Sequence, residues 1–271
     1  MPDDDAALVR TSTDGGITTI TLDSPRNRNA LSRRLLAGLD AALASALDDD
    51  SVRAVVLDHT GPVFCSGADL AEARDGVGDD QPGGGAGRRA AESPVVGLPD
   101  VLERLWHART PVVAVLRGPV RAGGIGLVAA CHLALAAEST TLAFTEVRLG
   151  LVPAVISVVC LPRLRDRDAA ELFLLGEVVD AHRAREVGLL TRVVADDDVD
   201  AERDRVLAAL RRAAPGALSA TTDLLRRGPD DLRARLDAAT ALSAERFAGD
   251  EGQEGIRAFL EKRAPSWVDG G

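Results

Sequence analysis

Arg121-Ala122-Gly123-Gly124-Ile125-Gly126-Leu127 is the stretch that decides how this chain reads. It follows Pro111-Val112-Val113-Ala114-Val115-Leu116, which has the pattern of a short buried strand, and it opens what reads as a helix. Small residues at a helix start leave amide N–H groups open, and such groups hold an anion. A segment of the same kind lies upstream, Phe64-Cys65-Ser66-Gly67-Ala68-Asp69-Leu70, after the strand-like run Arg53-Ala54-Val55-Val56-Leu57-Asp58. Two amide donors aimed at one oxygen make an oxyanion hole, which stabilises a developing enolate. Downstream comes Thr145-Glu146-Val147-Arg148-Leu149-Gly150-Leu151-Val152-Pro153, a carboxylate inside a mostly apolar stretch. Burial there raises its pKa and suits it to proton transfer.

Outward from these segments, Ile17-Thr18-Thr19-Ile20-Thr21-Leu22 alternates and predicts a strand after the Asp14-Gly15-Gly16 turn. Ser32 reads as the N-cap of a helix that carries Leu35, Leu36, Leu39, Leu43 and Leu47 on one face. Leu133-Ala134-Leu135-Ala136 reads as a further strand. Strands alternating with helices predict α/β architecture with right-handed crossovers. Residues 75–92, with Pro82-Gly83-Gly84-Gly85, cannot pack a core and read as a mobile loop. From about Asp200 the apolar spacing is helical almost throughout. The expected organisation is therefore a core domain over 1–199 and a helical region over 200–271.

Composition excludes several classes of function. The chain has 271 residues, 46% of them hydrophobic, enough for one large core. A formal charge of -10 with a single lysine, Lys262, gives no general basic surface for nucleic acid. No run approaches the roughly 20 apolar residues that a membrane span needs, and the start is acidic, so the cytoplasm is the expected location. Cys65, Cys131 and Cys160 are odd in number, form no CxxC, and read as buried and reduced. His59, His107, His132 and His182 lack the spacing of metal ligands, so no metal is expected. Asp69 reads as an N-cap, Glu72 as part of a solvated face, and the Arg211-Arg212 and Arg226-Arg227 pairs as solvated helix faces.

In order and spacing the three segments resemble the enoyl-CoA hydratase/isomerase (crotonase) family. That family has a Gly-Ala-Asp loop, a glycine-rich helix start some 55 residues later, and a Glu-bearing segment ending in proline. The likeness extends to Ser24-Pro25-Arg26-Asn27-Arg28-Asn29-Ala30-Leu31, to Leu175-Gly176-Glu177, and to Phe259-Leu260-Glu261-Lys262-Arg263, covering about residues 15 to 267. The resemblance implies a spiral of β-β-α repeats with a helical C-terminal region used for trimerisation. It implies an acyl-CoA thioester as substrate, with CoA as part of that substrate and no cofactor besides. Carried over by position, it places the oxyanion-hole amides at Ala68 and Gly123 and the catalytic carboxylate at Glu146. Arg28, Ala30, Asp69 and Leu70 would line the CoA path, and Phe259 and Lys262 would reach the CoA of a neighbouring subunit. A homotrimer or dimer of trimers is expected from the same resemblance.

Two positions depart from the family pattern. Two-glutamate hydratases carry their first glutamate three residues after the oxyanion-hole glycine, and Gly126 stands there in this chain. His132 replaces the usual Asp after Ala-Cys. Some relatives that look like hydratases share the Gly126-Leu127 pair and the Pro153-Ala154-Val155-Ile156-Ser157 continuation, so hydration of a 2-enoyl thioester is the expected reaction. Family isomerases also keep only the second glutamate, which leaves double-bond migration as the alternative. A non-catalytic acyl-CoA binder is a third reading. Gly124-x-Gly126-x-x-Ala129, with Glu146 about 20 residues on, also matches a dinucleotide fingerprint, but its glycines lie well past the preceding strand.

Overall fold

The structure is a computed structural model that describes residues 7–75, 96–225 and 231–268. Most of the predicted 75–92 loop, the Arg226-Arg227 pair and the two chain ends lie outside the described residues. Strands β1 (Val9–Asp14) and β2 (Ile17–Leu22) form an antiparallel hairpin, turned by Gly15 and Gly16 at φ 53° and 75°. From β2 onward the large sheet is parallel, through β3 (Ala54–His59), β4 (Val112–Leu116), β6 (Leu133–Ala137) and β9 (Arg192–Val194). A smaller sheet joins β5 (Val120–Arg121), β7 (Thr141–Ala143) and β8 (Val179–Asp180). The chain thus alternates between the sheets, β4 then β5 and β6 then β7, with a helix closing the first of these turns. This is the spiral that the resemblance implied.

The parallel strands are apolar on both faces because both faces are covered. Every residue of β4 is buried. On one side Ile20, Leu22, Val55 and Leu57 pack under Leu35, Leu36, Leu39 and Leu43 of α1 (Arg33–Leu47). Ser32 caps that helix as predicted, its hydroxyl accepting from the Leu35 N–H at 3.2 Å. On the other side Ala54, Val56, Val113, Val115 and Leu135 meet a helix from the predicted C-terminal region. That helix, Val199–Arg212, supplies Val199, Val206 and Leu207. Its Arg211 is more than a solvated charge: it donates to the Asp14 and Gly15 carbonyls and closes the hairpin turn. Among the described residues no helix is long and apolar enough to cross a membrane.

Candidate active site

Two helix starts meet in the middle of the molecule. The first is α2 (Leu70–Asp75), preceded by Gly67 and Ala68, and the second is Gly123–Ala130, preceded by Ala122. Backbone hydrogen bonds clamp their loops together. Leu31 N–H donates to Gly67 O at 2.8 Å, Ser66 N–H to Arg28 O at 3.1 Å, Arg121 N–H to Cys65 O at 2.9 Å, and Ala122 N–H to Ala143 O at 3.1 Å. Cys65 is wedged into the junction: a Cβ on Gly124 would lie 2.7 Å from its Cβ. Burial in that wedge pushes its thiol up to about 12, so Cys65 packs rather than reacts.

Ala68 and Gly123 each follow a residue with positive φ, Gly67 at 93° and Ala122 at 47°. These two residues touch, since a Cβ on Gly67 would stand 3.1 Å from the Ala122 Cβ. A non-glycine residue in that region is strained, and strain of this kind persists where the surroundings over-determine it. Here it lies immediately before the Gly123 amide, as the Gly67 conformation lies before that of Ala68. Neither N–H has a backbone acceptor among the described residues. Both residues line one cavity of about 630 Å³. Two free, preorganised donors at one cavity wall are what an oxyanion hole requires.

Glu146 opens a 3-10 turn (Glu146–Leu149) just after β7, the strand whose Ala143 carbonyl holds Ala122. It also lines the cavity. The residue as a whole is partly exposed, yet its Oε2 is sealed and has no hydrogen-bond partner. Burial pushes the carboxyl up to about 7, partly offset by its own backbone N–H. A carboxyl group poised there is half ionised near neutral pH and serves as acid or base.

The remaining predicted residues divide. Arg28, Ala30, Asp69 and Leu70 line the cavity, as expected. Asp69 is the N-cap foreseen, its Oδ1 accepting from the Ala71 N–H at 3.1 Å. Glu72, taken for a solvated side chain, instead accepts from the Arg33 N–H at 3.1 Å and ties α2 to the start of α1. Phe259 lines the cavity of its own chain, because the helix Asp250–Glu261 packs on the Glu146–Leu149 turn. Gly255 allows that approach: a Cβ there would collide with the Leu149 backbone. Lys262 ends this helix with φ 55° and is exposed, outside the cavity lining.

At Gly126 the structure leaves no open seat for a first carboxylate. A Cβ there would lie 2.6 Å from Ile156 Cγ2 and 3.1 Å from Ile156 Cβ. Ile156, on the helix Ala154–Cys160, is 2% exposed and lines the cavity where Gly126 does not. The glycines of the dinucleotide-like spacing are therefore packing positions inside a helix, Gly124 against Cys65 and Gly126 against Ile156. Two of the histidines hold backbone: His132 Nδ1 accepts from the Val112 N–H and His59 Nε2 from the Arg117 N–H, each at 3.1 Å.

Sequence reasoning missed the apolar walls of the cavity from Leu36, Leu98, Leu151, Val155 and Phe247. Their spacing marks helix faces, and nothing in it separates a face turned to the core from one turned to a ligand.

A parallel spiral with two free amides and one buried carboxyl defines a class of enolate-stabilising enzymes. Comparison with known proteins shows the family. The enoyl-CoA hydratase/isomerase family profile matches residues 12–270, and the chain belongs to that family. It is 33% identical to the zebrafish (Danio rerio) mitochondrial enoyl-CoA hydratase domain-containing protein 3, over 98% of this chain and 90% of the relative. It is 34% identical to a putative enoyl-CoA hydratase of Thermus thermophilus, over 93% and 97%. A solved structure of a putative enoyl-CoA hydratase from Mycobacterium avium paratuberculosis is 40% identical. It superposes with a TM-score of 0.82, covering 97% of this chain and all of that one.

Proposed function

We propose that this chain hydrates a 2-enoyl-CoA thioester, using Glu146 alone as acid and base. The observation that carries the reading is the sealed, unpartnered Glu146 Oε2 in a cavity shared with the free Ala68 and Gly123 amides. The names of relatives, an enoyl-CoA hydratase domain-containing protein and a putative enoyl-CoA hydratase among them, support it. In the proposed reaction the Glu146 carboxylate takes a proton from water, and the hydroxide oxygen bonds to C3. The C2–C3 π electrons move toward the thioester, and the oxyanion is held by the two amides. Glu146, now protonated, returns its proton to C2 on the same face, and the thioester carbonyl is restored. One water is consumed and the carboxylate is regenerated. Arg26 and Arg28, on the turn before α1, stand at the cavity wall and suit the phosphates of CoA.

One observation favours a second reading, migration of the double bond. Ile156 fills the space at Gly126 with hydrocarbon, and a proton shuttle between two carbons needs no seat for water. Separate incubation with 2-enoyl and 3-enoyl thioesters, read by mass, decides between them. Gain of one water by the 2-enoyl substrate supports hydration. Conversion of 3-enoyl to 2-enoyl with no gain of water sinks it.

We also propose self-association through the apolar side chains left exposed on the single chain, among them Leu174, Leu175, Leu224 and Leu225. A monomer by light scattering at micromolar concentration would rule this out.

A further inference from the structure

Ser243 lies on the helix Leu232–Ala248, is 6% exposed, and lines the cavity. Its hydroxyl has no hydrogen-bond partner among the described residues. Helical serine and threonine side chains usually bond back to the preceding turn. Others in this chain do: Ser157 to Ala154 O, Thr221 to Ala217 O, Thr222 to Ser219 O, and Thr240 to Leu236 O. Thr240 is on the same helix, one turn earlier, so the helix itself does not forbid the bond.

The surroundings make the free hydroxyl stand out. Its helix packs against the helices Leu98–Trp106 and Ala154–Cys160, which bring Leu98 and Ile156 to the cavity. Phe247, one turn further along, lines it too. A hydroxyl in an apolar wall is unfavourable without a partner, and an alkyl chain offers none. An oxygen atom on the bound molecule does.

We infer that Ser243 recognises an acyl chain bearing an oxygen function, a hydroxyl or a carbonyl, beyond the reacting carbons. The inference rests on the acyl-CoA reading of the cavity. A serine hydroxyl donates to either group and accepts from a hydroxyl as well. Its presence weakens the fit of a plain chain while strengthening that of an oxygenated one, which is how a single polar group sets selectivity.

Saturated acyl-CoA thioesters bind without reacting, so binding separates recognition from chemistry. Matched pairs, plain or carrying a hydroxyl or keto group at successive carbons beyond C3, are titrated calorimetrically into the wild type and Ser243→Ala. At one position the oxygenated member should bind the wild type roughly 5–10-fold tighter than its plain partner. Ser243→Ala should erase that preference, weakening the oxygenated member and tightening the plain one by roughly a few-fold, with an unchanged melting temperature. Equal binding within every pair, or a preference that survives Ser243→Ala, overturns the role of Ser243 alone. Failure of every thioester to bind overturns the acyl-CoA reading with it.

Discussion

Positions 146 and 126 lie on segments that meet around one cavity, and the chain treats them in opposite ways. At 146 a carboxyl group is carried into an apolar wall and its Oε2 is left without a partner, an arrangement that raises its pKa to about 7. At 126 there is no side chain, and the volume a side chain would need is occupied by Ile156. A missing acid is therefore not a vacancy. The wall beside Gly126 is packed hydrocarbon, and the proposed reaction leaves the electrostatic work to Glu146 and two amides. In this chain the space at 126 and the side chain at 156 go together, so placing a carboxyl group there takes two changes rather than one.

The comparison breaks most sharply at Glu146. Glu146→Gln keeps the shape and removes the ionisable group, and should lower turnover about 10²–10⁴-fold. Affinity for a saturated thioester should hold, since the amides are untouched. Turnover within a few-fold of the wild type would end the assignment.

At the other position, Gly126→Glu forces a charged side chain into Ile156 and should destabilise the fold by about 3 kcal/mol or more. It should add no hydration by itself. Gly126→Glu with Ile156→Ala opens the space, and should regain stability and exceed Ile156→Ala alone in hydration. Denaturant melts and rates on the three variants check both halves. A stable, faster Gly126→Glu single variant would contradict the packing argument.

A smaller effect is expected where the two amides are aimed. Gly67→Ala places a side chain at φ 93° and 3.1 Å from the Ala122 Cβ. It should cost about 1–3 kcal/mol. It should also lower turnover more than it weakens binding, because it tilts the Ala68 donor. Equal losses in both would show that Gly67 serves stability alone.

Much of the fold was legible because its signals are local. The alternation in Ile17–Leu22 and the Ser32 cap appear where the sequence placed them. The strands β3, β4 and β6 fall within a residue of the apolar runs that announced them. The short strands β5, β7 and β8 were not, since two or three residues carry no period of their own and exist only by pairing. At the site, Ala68, Gly123 and Glu146, named from the order of three motifs, come together in the lining of one cavity. What was hidden is long-range: the clamp of Ile156 on Gly126, the tie of Glu72 to α1, and the return of Phe259 to its own chain's cavity. Each joins residues at least 30 apart in sequence, beyond the reach of any local pattern.

The central claim is that one carboxyl group, Glu146, moves both protons, and the pH dependence of kcat/KM tests it most directly. Glu146 must begin as the carboxylate, and its folded pKa is raised to about 7, so activity should be lost as pH falls through that value. The account predicts a single rise of about tenfold per pH unit, levelling above about pH 7 with no descending limb. Glu146→Gln should abolish that rise. A bell-shaped profile that requires a separate acid, or the same rise persisting in Glu146→Gln, would contradict the claim.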